Sequence, residues 1–236
     1  VSMEIQDSIT TLSAEIIKGF EELSSSVVSD AIDILALTSG GCLPYTIHPL
    51  HSYAKPLVGL ITTVYAPDGT SLPIHLAMAT HAQERILLIS TNNHKNCAFL
   101  GDIQARLTAL NGCKGIVLDG FVRDKDGMKD LDLPIYCTGT HPKRPGKADV
   151  GGINIPITIG HVKVRSGDLL IADNDGVIII PQDYAITVLE TAKKKDASDT
   201  ARLQRVKEFN YNGAKNIRDF TSILTKDVAD YVKENM

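Results

Sequence analysis

The chain has 236 residues, an ordinary apolar fraction of 43% and a formal net charge of −4. That length suits one large domain or a domain with helical extensions, and the lack of a basic patch argues against nucleic acid as a direct ligand. There is no signal-peptide pattern and no apolar run near the roughly 18 residues of a membrane span, so a cytoplasmic protein without membrane contact is expected.

In chain order, residues 8–23 carry the spacing of an amphipathic helix. Ser24-Ser25-Ser26 supplies an N-cap for a second helix, VVSDAIDILAL, which Gly40-Gly41 should end. Leu57 to Tyr65 is β-branched and apolar and predicts a strand. After the turn at Pro67-Asp68-Gly69-Thr70, Pro73 to Gln83 suits a helix and Arg85 to Ser90 a buried strand.

The central stretch runs from Gly101 to Asp124 and reads as helix, tight turn, buried strand and polar exit. Ile103, Leu107 and Leu110 share one helical face, and Asn111-Gly112 places glycine at the left-handed cap position. Gly115 to Leu118 is a short apolar run, best read as a buried strand. It leaves through Asp119-Gly120 and reaches Arg123-Asp124, a cation and an anion past a strand end, where α/β folds place chemistry.

Beyond it come a short helical segment at GMKDLDL, a strand at Pro134 to Thr138 and a Pro/Gly-rich loop from Thr140 to Gly152. The loop is expected to order only against a partner. Strands at 155–159 and 161–164 precede a hairpin, 169–172 with 177–180, around Asn174-Asp175-Gly176. A long helix to about residue 209 and another over 217–234 close the chain.

Several features carry two readings. Gly101-Asp102 opens a helix whose free amides and dipole favour a carboxylate or phosphate, or else Asp102 only caps it. Arg123 offers a fork for a carboxylate and Asp124 a hard oxygen ligand suited to magnesium or manganese. Their bland alternatives are a surface ion pair or a cap for the next segment. Asp173 and Asp175 fit turn geometry, and His75 and His81, six apart, are not expected to be ligands. The four cysteines form no CxxC pair and read as reduced, mostly buried thiols. No GxGxxG, GxxxxGK[ST] or GxSxG occurs, and nothing looks like a site for S-adenosylmethionine.

Gly101-Asp102, Gly112, Gly115, Asp119-Gly120 and Arg123-Asp124, followed by GDLLIADNDGVIIIP, resemble the RraA-like family over roughly residues 25–200. That family includes 4-hydroxy-4-methyl-2-oxoglutarate aldolases that also decarboxylate oxaloacetate. The resemblance implies a compact α/β/β/α sandwich with a swivelling β/β/α core, flanked by terminal helices, as one domain assembled into trimers or hexamers. It further implies that the backbone amides of Gly101, Asp102, Ile103 and Gln104 hold a 2-keto acid's carboxylate. Arg123 would bind the keto acid, and Asp124 would hold Mg²⁺ or Mn²⁺. Asp102 would handle a proton, and Asp196 or Asp199 of a neighbouring subunit would complete the outer shell. Helices over 182–236 would then lie in subunit contacts. Selectivity beyond the pyruvate half is expected from loops such as 140–152. The RraA branch that binds and inhibits ribonuclease E is the alternative; that branch tends to lack the metal-binding aspartate, which is present here.

Overall fold

The computed structural model describes residues 2–7, 12–209 and 220–235. It has two units, Val1–Ala192 and Lys193–Met236. The elements in order are β1 (Glu4–Ile5), α1 (Ala14–Gly19), α2 (Ser25–Ile34), β2 (Gly41–Cys42), β3 (His48–Pro49), β4 (Leu57–Tyr65), α3 (Leu72–Thr80) and β5 (Ile86–Ser90). Then come β6 (Ala98–Leu100), α4 (Asp102–Leu110), β7 (Gly115–Leu118), β8 (Phe121–Val122), β9 (Ile135–Cys137), β10 (Gly139–Thr140), β11 (Gly152–Ile153), β12 (Ile157–Ile159) and β13 (Val162–Val164). The hairpin β14 (Leu169–Ala172) and β15 (Val177–Ile180) leads to α5 (Ala185–Glu208) and α6 (Lys226–Asn235).

The main sheet of the first unit is mixed. Its order is β2-β15-β14-β4-β5-β7-β9-β3, with β11 also on β4 and β1 on β11. β4, β5, β7 and β9 run parallel, whereas the β14–β15 hairpin joins β4 antiparallel. Alternation along each strand sorts the side chains onto two faces. Ile86 and Leu88 pack inward with Val117, Leu170 and Ile179, so the two halves of the curled sheet share one inner core. Leu87 and Ile89 point outward with Ile116, Ile74 and Ala105, under α3 and α4. On the other side Val58, Leu169, Ile171 and Ile180 pack against Phe20, Val28, Ala31, Ala185 and Val188 of the remaining helices. Helix, sheet, sheet, helix is therefore the layering of this unit, as the resemblance implied.

Several boundaries move. Residues 8–11 lie outside the described residues, and α1 begins at Ala14, where the Ser13 hydroxyl accepts from Ile16 N–H at 3.4 Å. α2 starts earlier than its apolar run, because Ser24 caps it and accepts from Val27 N–H. It stops before Gly40, with Ala36 already at φ 50°. α3 ends at Thr80, and the GMKDLDL segment is a single 3₁₀ turn, Lys125–Met128. Asp173 does more than shape its turn, since its carboxylate also accepts the N–H and hydroxyl of Ser25 at 2.8 and 2.7 Å, tying α2 to the hairpin.

The largest correction concerns the loop from Thr140 to Gly152, which orders within the chain. Gly146 N–H donates to Gly69 O at 2.8 Å, and Ser71 N–H donates to Gly146 O at 3.0 Å. Thr70 Oγ1 donates to Ala148 O at 2.8 Å, and Ala98 N–H to Lys143 O at 2.9 Å. Main-chain groups and two short hydroxyls do the holding, so the sequence signal was weak.

In the second unit Lys195 pairs with Asp199, Arg202 Nε donates to Ile223 O at 3.3 Å, and Ala229 and Val232 are buried. α6 spans Lys226–Asn235; the expected helix start at 217 lies outside the described residues. The cysteines are all free, and all but Cys42 are buried. Among the described residues no helix is long and apolar enough to cross a membrane.

Candidate active site at three strand ends

A small three-stranded sheet, β6, β8 and β10, positions the site. All three run parallel, with Leu100 opposite Val122 and Val122 opposite Thr140. The chain therefore leaves at one edge three times, as Gly101, Arg123 and His141. The exits are stitched by Arg123 N–H to Leu100 O at 3.0 Å and His141 N–H to Val122 O at 2.9 Å. Pockets outside the carboxyl ends of parallel strands are where α/β proteins hold ligands.

At the first exit Gly101 is the N-cap of α4. Its N–H donates to Gln104 Oε1 at 3.3 Å, and Ile103 N–H donates to the Asp102 carboxylate at 2.8 Å. Among the described residues, the amides of Asp102 and Gln104 are then the free donors of the first turn, at the positive end of the helix dipole. Ile103 is 64% exposed, and with Leu107 and Leu110 it forms an outward face of α4, so the shared apolar spacing does not mark this chain's own core.

At the second exit Asp124 adopts the left-handed conformation, φ 58° and ψ 37°, which turns its carboxylate back toward Gly101. Arg123 Nε lies 3.4 Å from Asp124 Oδ2. Asp124 makes no side-chain cap to the turn that follows it, so the capping alternative is not what the structure has. A β-carbon on Gly101 would stand 2.6 Å from Asp124 Oδ2 and 3.3 Å from Arg123 Nε. One on Gly127 would stand 3.0 Å from Asp102 Oδ2. Gly127 N–H in turn donates to Asp124 O at 2.9 Å. Two glycines thus let both carboxylates fold onto the main chain, that of Asp124 beside the Arg123 guanidinium.

Gly101, Gln104 and Arg123 line one cavity of about 670 Å³, whose far wall is the loop after the third exit, from Lys143 to Lys147. His75 of α3 also lines it. Burial, then the charge of Lys147, lower the His75 pKa, so its imidazole is neutral near pH 7. Asp119, at the end of β7, braces the neighbouring loop by accepting Thr91 N–H at 2.5 Å, and its burial raises its pKa against those bonds. Of the residues singled out from the sequence, Gly101, Gln104 and Arg123 line this cavity, Asp124 lies against Arg123 and Gly101, and Asp102 and the exposed Ile103 stand on the first turn of α4. Sequence reasoning passed over Lys143, Arg144 and Lys147, whose charges are diluted by Pro145 and Gly146. Asp196 and Asp199 lie on α5 in the second unit, where Asp199 pairs with Lys195.

Gly101→Ala tests this packing. The backbone there (φ −131°) accepts any residue, and the clashing atoms belong to side chains. The melting temperature should move by only about 2–4 °C, while any activity of the site falls at least about tenfold as the Asp124 and Arg123 side chains are displaced. Unchanged activity with the variant folded would show that their placement does not matter.

A curled α/β sandwich with an electropositive pocket at parallel strand ends is the class this architecture defines. Comparison with known proteins narrows it. The profile of the RraA-like family, Aldolase/RraA, matches residues 25–179, and the chain belongs to that family. A protein of Halalkalibacterium halodurans named "Putative 4-hydroxy-4-methyl-2-oxoglutarate aldolase" is 35% identical over 195 residues, covering 82% of this chain and 90% of its own. One of the same name from Pseudomonas syringae pv. tomato is 40% identical over 123 residues, covering 52% and 75%. Among solved structures, an uncharacterized protein from Pseudomonas syringae pv. tomato superposes with TM-score 0.73 at 23% identity, covering 88% of this chain and 97% of its own. RraAS2 of Streptomyces coelicolor, described as an unusual member of the RNase ES inhibitor RraA family, gives 0.71 at 22%, covering 86% and 100%. At such identities these two likenesses speak to the fold alone.

Proposed function

We propose that this chain is a divalent-metal-dependent lyase. It would cleave 4-hydroxy-4-methyl-2-oxoglutarate-type keto acids to pyruvate and decarboxylate oxaloacetate. The observation that carries this reading is the meeting of a helix N-terminus, the Arg123 guanidinium and the Asp124 carboxylate at one cavity edge. The names of the relatives point the same way.

The donor set suits a hard cation. Among the described residues no three His, Cys, Asp or Glu side chains converge as a metal site. A site of one or two carboxylates completed by water and substrate oxygens is ordinary for Mg²⁺ or Mn²⁺ and foreign to structural zinc. Asp124 would hold the cation with Asp102 beside it, and the bound cation would supply Lewis-acid polarisation of the keto oxygen.

The chain's own groups do the rest. The free amides of Asp102 and Gln104 receive the substrate carboxylate at the α4 terminus. Arg123 keeps its Nη groups for the keto acid and stabilises the negative charge that develops on the keto oxygen. In the aldol cleavage the C4 hydroxyl loses its proton, the C3–C4 bond breaks, and C3 of the resulting pyruvate enolate takes up a proton. In the decarboxylation the same bond breaks with loss of CO₂. Asp102 hands that proton to C3 through water. No lysine Schiff base is required. The same reading places the protein in the cytoplasm as a homotrimer or hexamer, with Asp196 or Asp199 of a neighbouring subunit in the outer shell.

The test is a coupled pyruvate assay with oxaloacetate and Mg²⁺ or Mn²⁺. Pyruvate should appear and EDTA should stop it. Arg123→Lys should lose at least about tenfold in kcat/KM, because a point charge cannot replace a planar fork. No metal-stimulated pyruvate from either substrate type would overturn the proposal.

A further inference from the structure

Aldol cleavage leaves one proton without a recipient. The C4 hydroxyl loses its proton as the C3–C4 bond breaks, whereas Asp102 is engaged in delivering one to C3. Most of the cavity cannot accept it. Arg123, Lys143, Arg144 and Lys147 are cations, the Gln104 amide is no base, and the Ser71 hydroxyl donates to Gly146 O at 3.1 Å. No carboxylate lines the cavity among the described residues. Of the side chains that do line it, His75 is the one able to take up a proton near pH 7.

The fold presents this ring to the cavity. Ile74, Ala77 and Met78 hold α3 against the sheet, which leaves His75 half-buried at the cavity edge. Its main-chain N–H is taken by Ser71 O at 3.0 Å, but among the described residues the ring itself makes no hydrogen bond. Half-buried polar groups kept for structure alone are normally bonded. His75 and Gln104 also share a second hollow of about 360 Å³. The ring therefore stands near the first turn of α4, where the keto acid's carboxylate is placed. The charged groups that line the cavity with it are all positive: Lys147, then Lys143 and Arg144 on the same loop, and Arg123 at the second strand end. Burial, then the charge of Lys147, hold the imidazole below the usual histidine range, so it begins a turnover neutral.

We infer that His75 is a catalytic residue, the general base that takes the C4 hydroxyl proton in aldol cleavage. The inference rests on the lyase reading. As the O–H bond breaks, its electron pair forms the new carbonyl at C4 and the C3–C4 pair passes to C3. The imidazolium returns its proton to solvent before the next turnover. In oxaloacetate C4 is a carboxylate already ionised, so decarboxylation needs no such base.

The test compares the two reactions in His75→Gln, which keeps a polar side chain of similar size. Cleavage of 4-hydroxy-4-methyl-2-oxoglutarate should lose about 10²–10⁴-fold in kcat, the range of general acid–base catalysis. Oxaloacetate decarboxylation, measured on the same preparation, should fall far less, which also shows that the variant is folded. In the wild type kcat/KM for cleavage should drop as the pH falls through a value below about 6.5, because protonation removes the base. That acid limb should vanish in the variant. A variant that keeps wild-type cleavage, or loses both reactions equally, overturns the inference and leaves the lyase reading standing. So does the same acid limb surviving in the variant. A wild type that forms no pyruvate from either substrate sinks the lyase reading, and this inference with it.

Discussion

Asp124→Asn should reduce metal-dependent turnover by at least about 10³-fold while leaving the protein folded. The expected loss corresponds to several kcal/mol, the worth of a Lewis acid at a developing oxyanion. Asparagine is the informative replacement because it tolerates the left-handed backbone that Asp124 occupies at φ 58°, which alanine does less well. It also matches the size of the carboxylate packed over Gly101. The ion pair it removes is solvent-accessible, with side chains 38% and 49% exposed, and such pairs contribute about 0–1 kcal/mol. Melting curves of the two proteins should therefore nearly coincide. Wild-type turnover in this variant, with its metal requirement intact, would take the cation away from Asp124.

Gly151→Ala should do the opposite and strike the fold. Gly151 lies at φ +108°, where a β-carbon is strained, and that carbon would stand 2.1 Å from the carbonyl oxygen of Tyr65. The obstacle is main chain at the end of β4 and cannot swing aside. Strain of this kind costs about 1–3 kcal/mol before the clash is counted, so the melting temperature should drop by about 5 °C or more. Gly146→Ala is the matched control. Its β-carbon would meet nothing closer than Gly69 O at 3.6 Å, and stability should hold. Equal melting temperatures for the two variants would mean that the Gly151 junction relaxes more easily than its packing implies.

What could be read from the residues depended on the length of the pattern. β4 matches its expected span, Leu57–Tyr65, because nine β-branched and apolar residues leave little choice. The pairing of Gly101 with Arg123-Asp124 was legible through a motif of spaced glycines, of which Gly101, Gly115 and Gly120 are now explained by a close approach and Gly112 by its positive φ. The sheet that creates the pairing was not, since β6, β8 and β10 are two or three residues long and show no period. The 143–147 wall was hidden for a related reason. Its order comes from amide and hydroxyl bonds to a distant turn, and loop composition does not encode such bonds.

The anchoring of that wall has a practical corollary. Gly146 is gripped through its amide and carbonyl by the 69–71 turn, and Lys143 through its carbonyl by Ala98 and through its amide by the His141 ring. The side chains at 143, 144 and 147 are therefore interchangeable as far as the course of the chain is concerned. A library randomised at those positions, with Gly101, Arg123 and Asp124 left as they are, would sample substrate preference without re-engineering the chemistry, and most of its members should remain expressible.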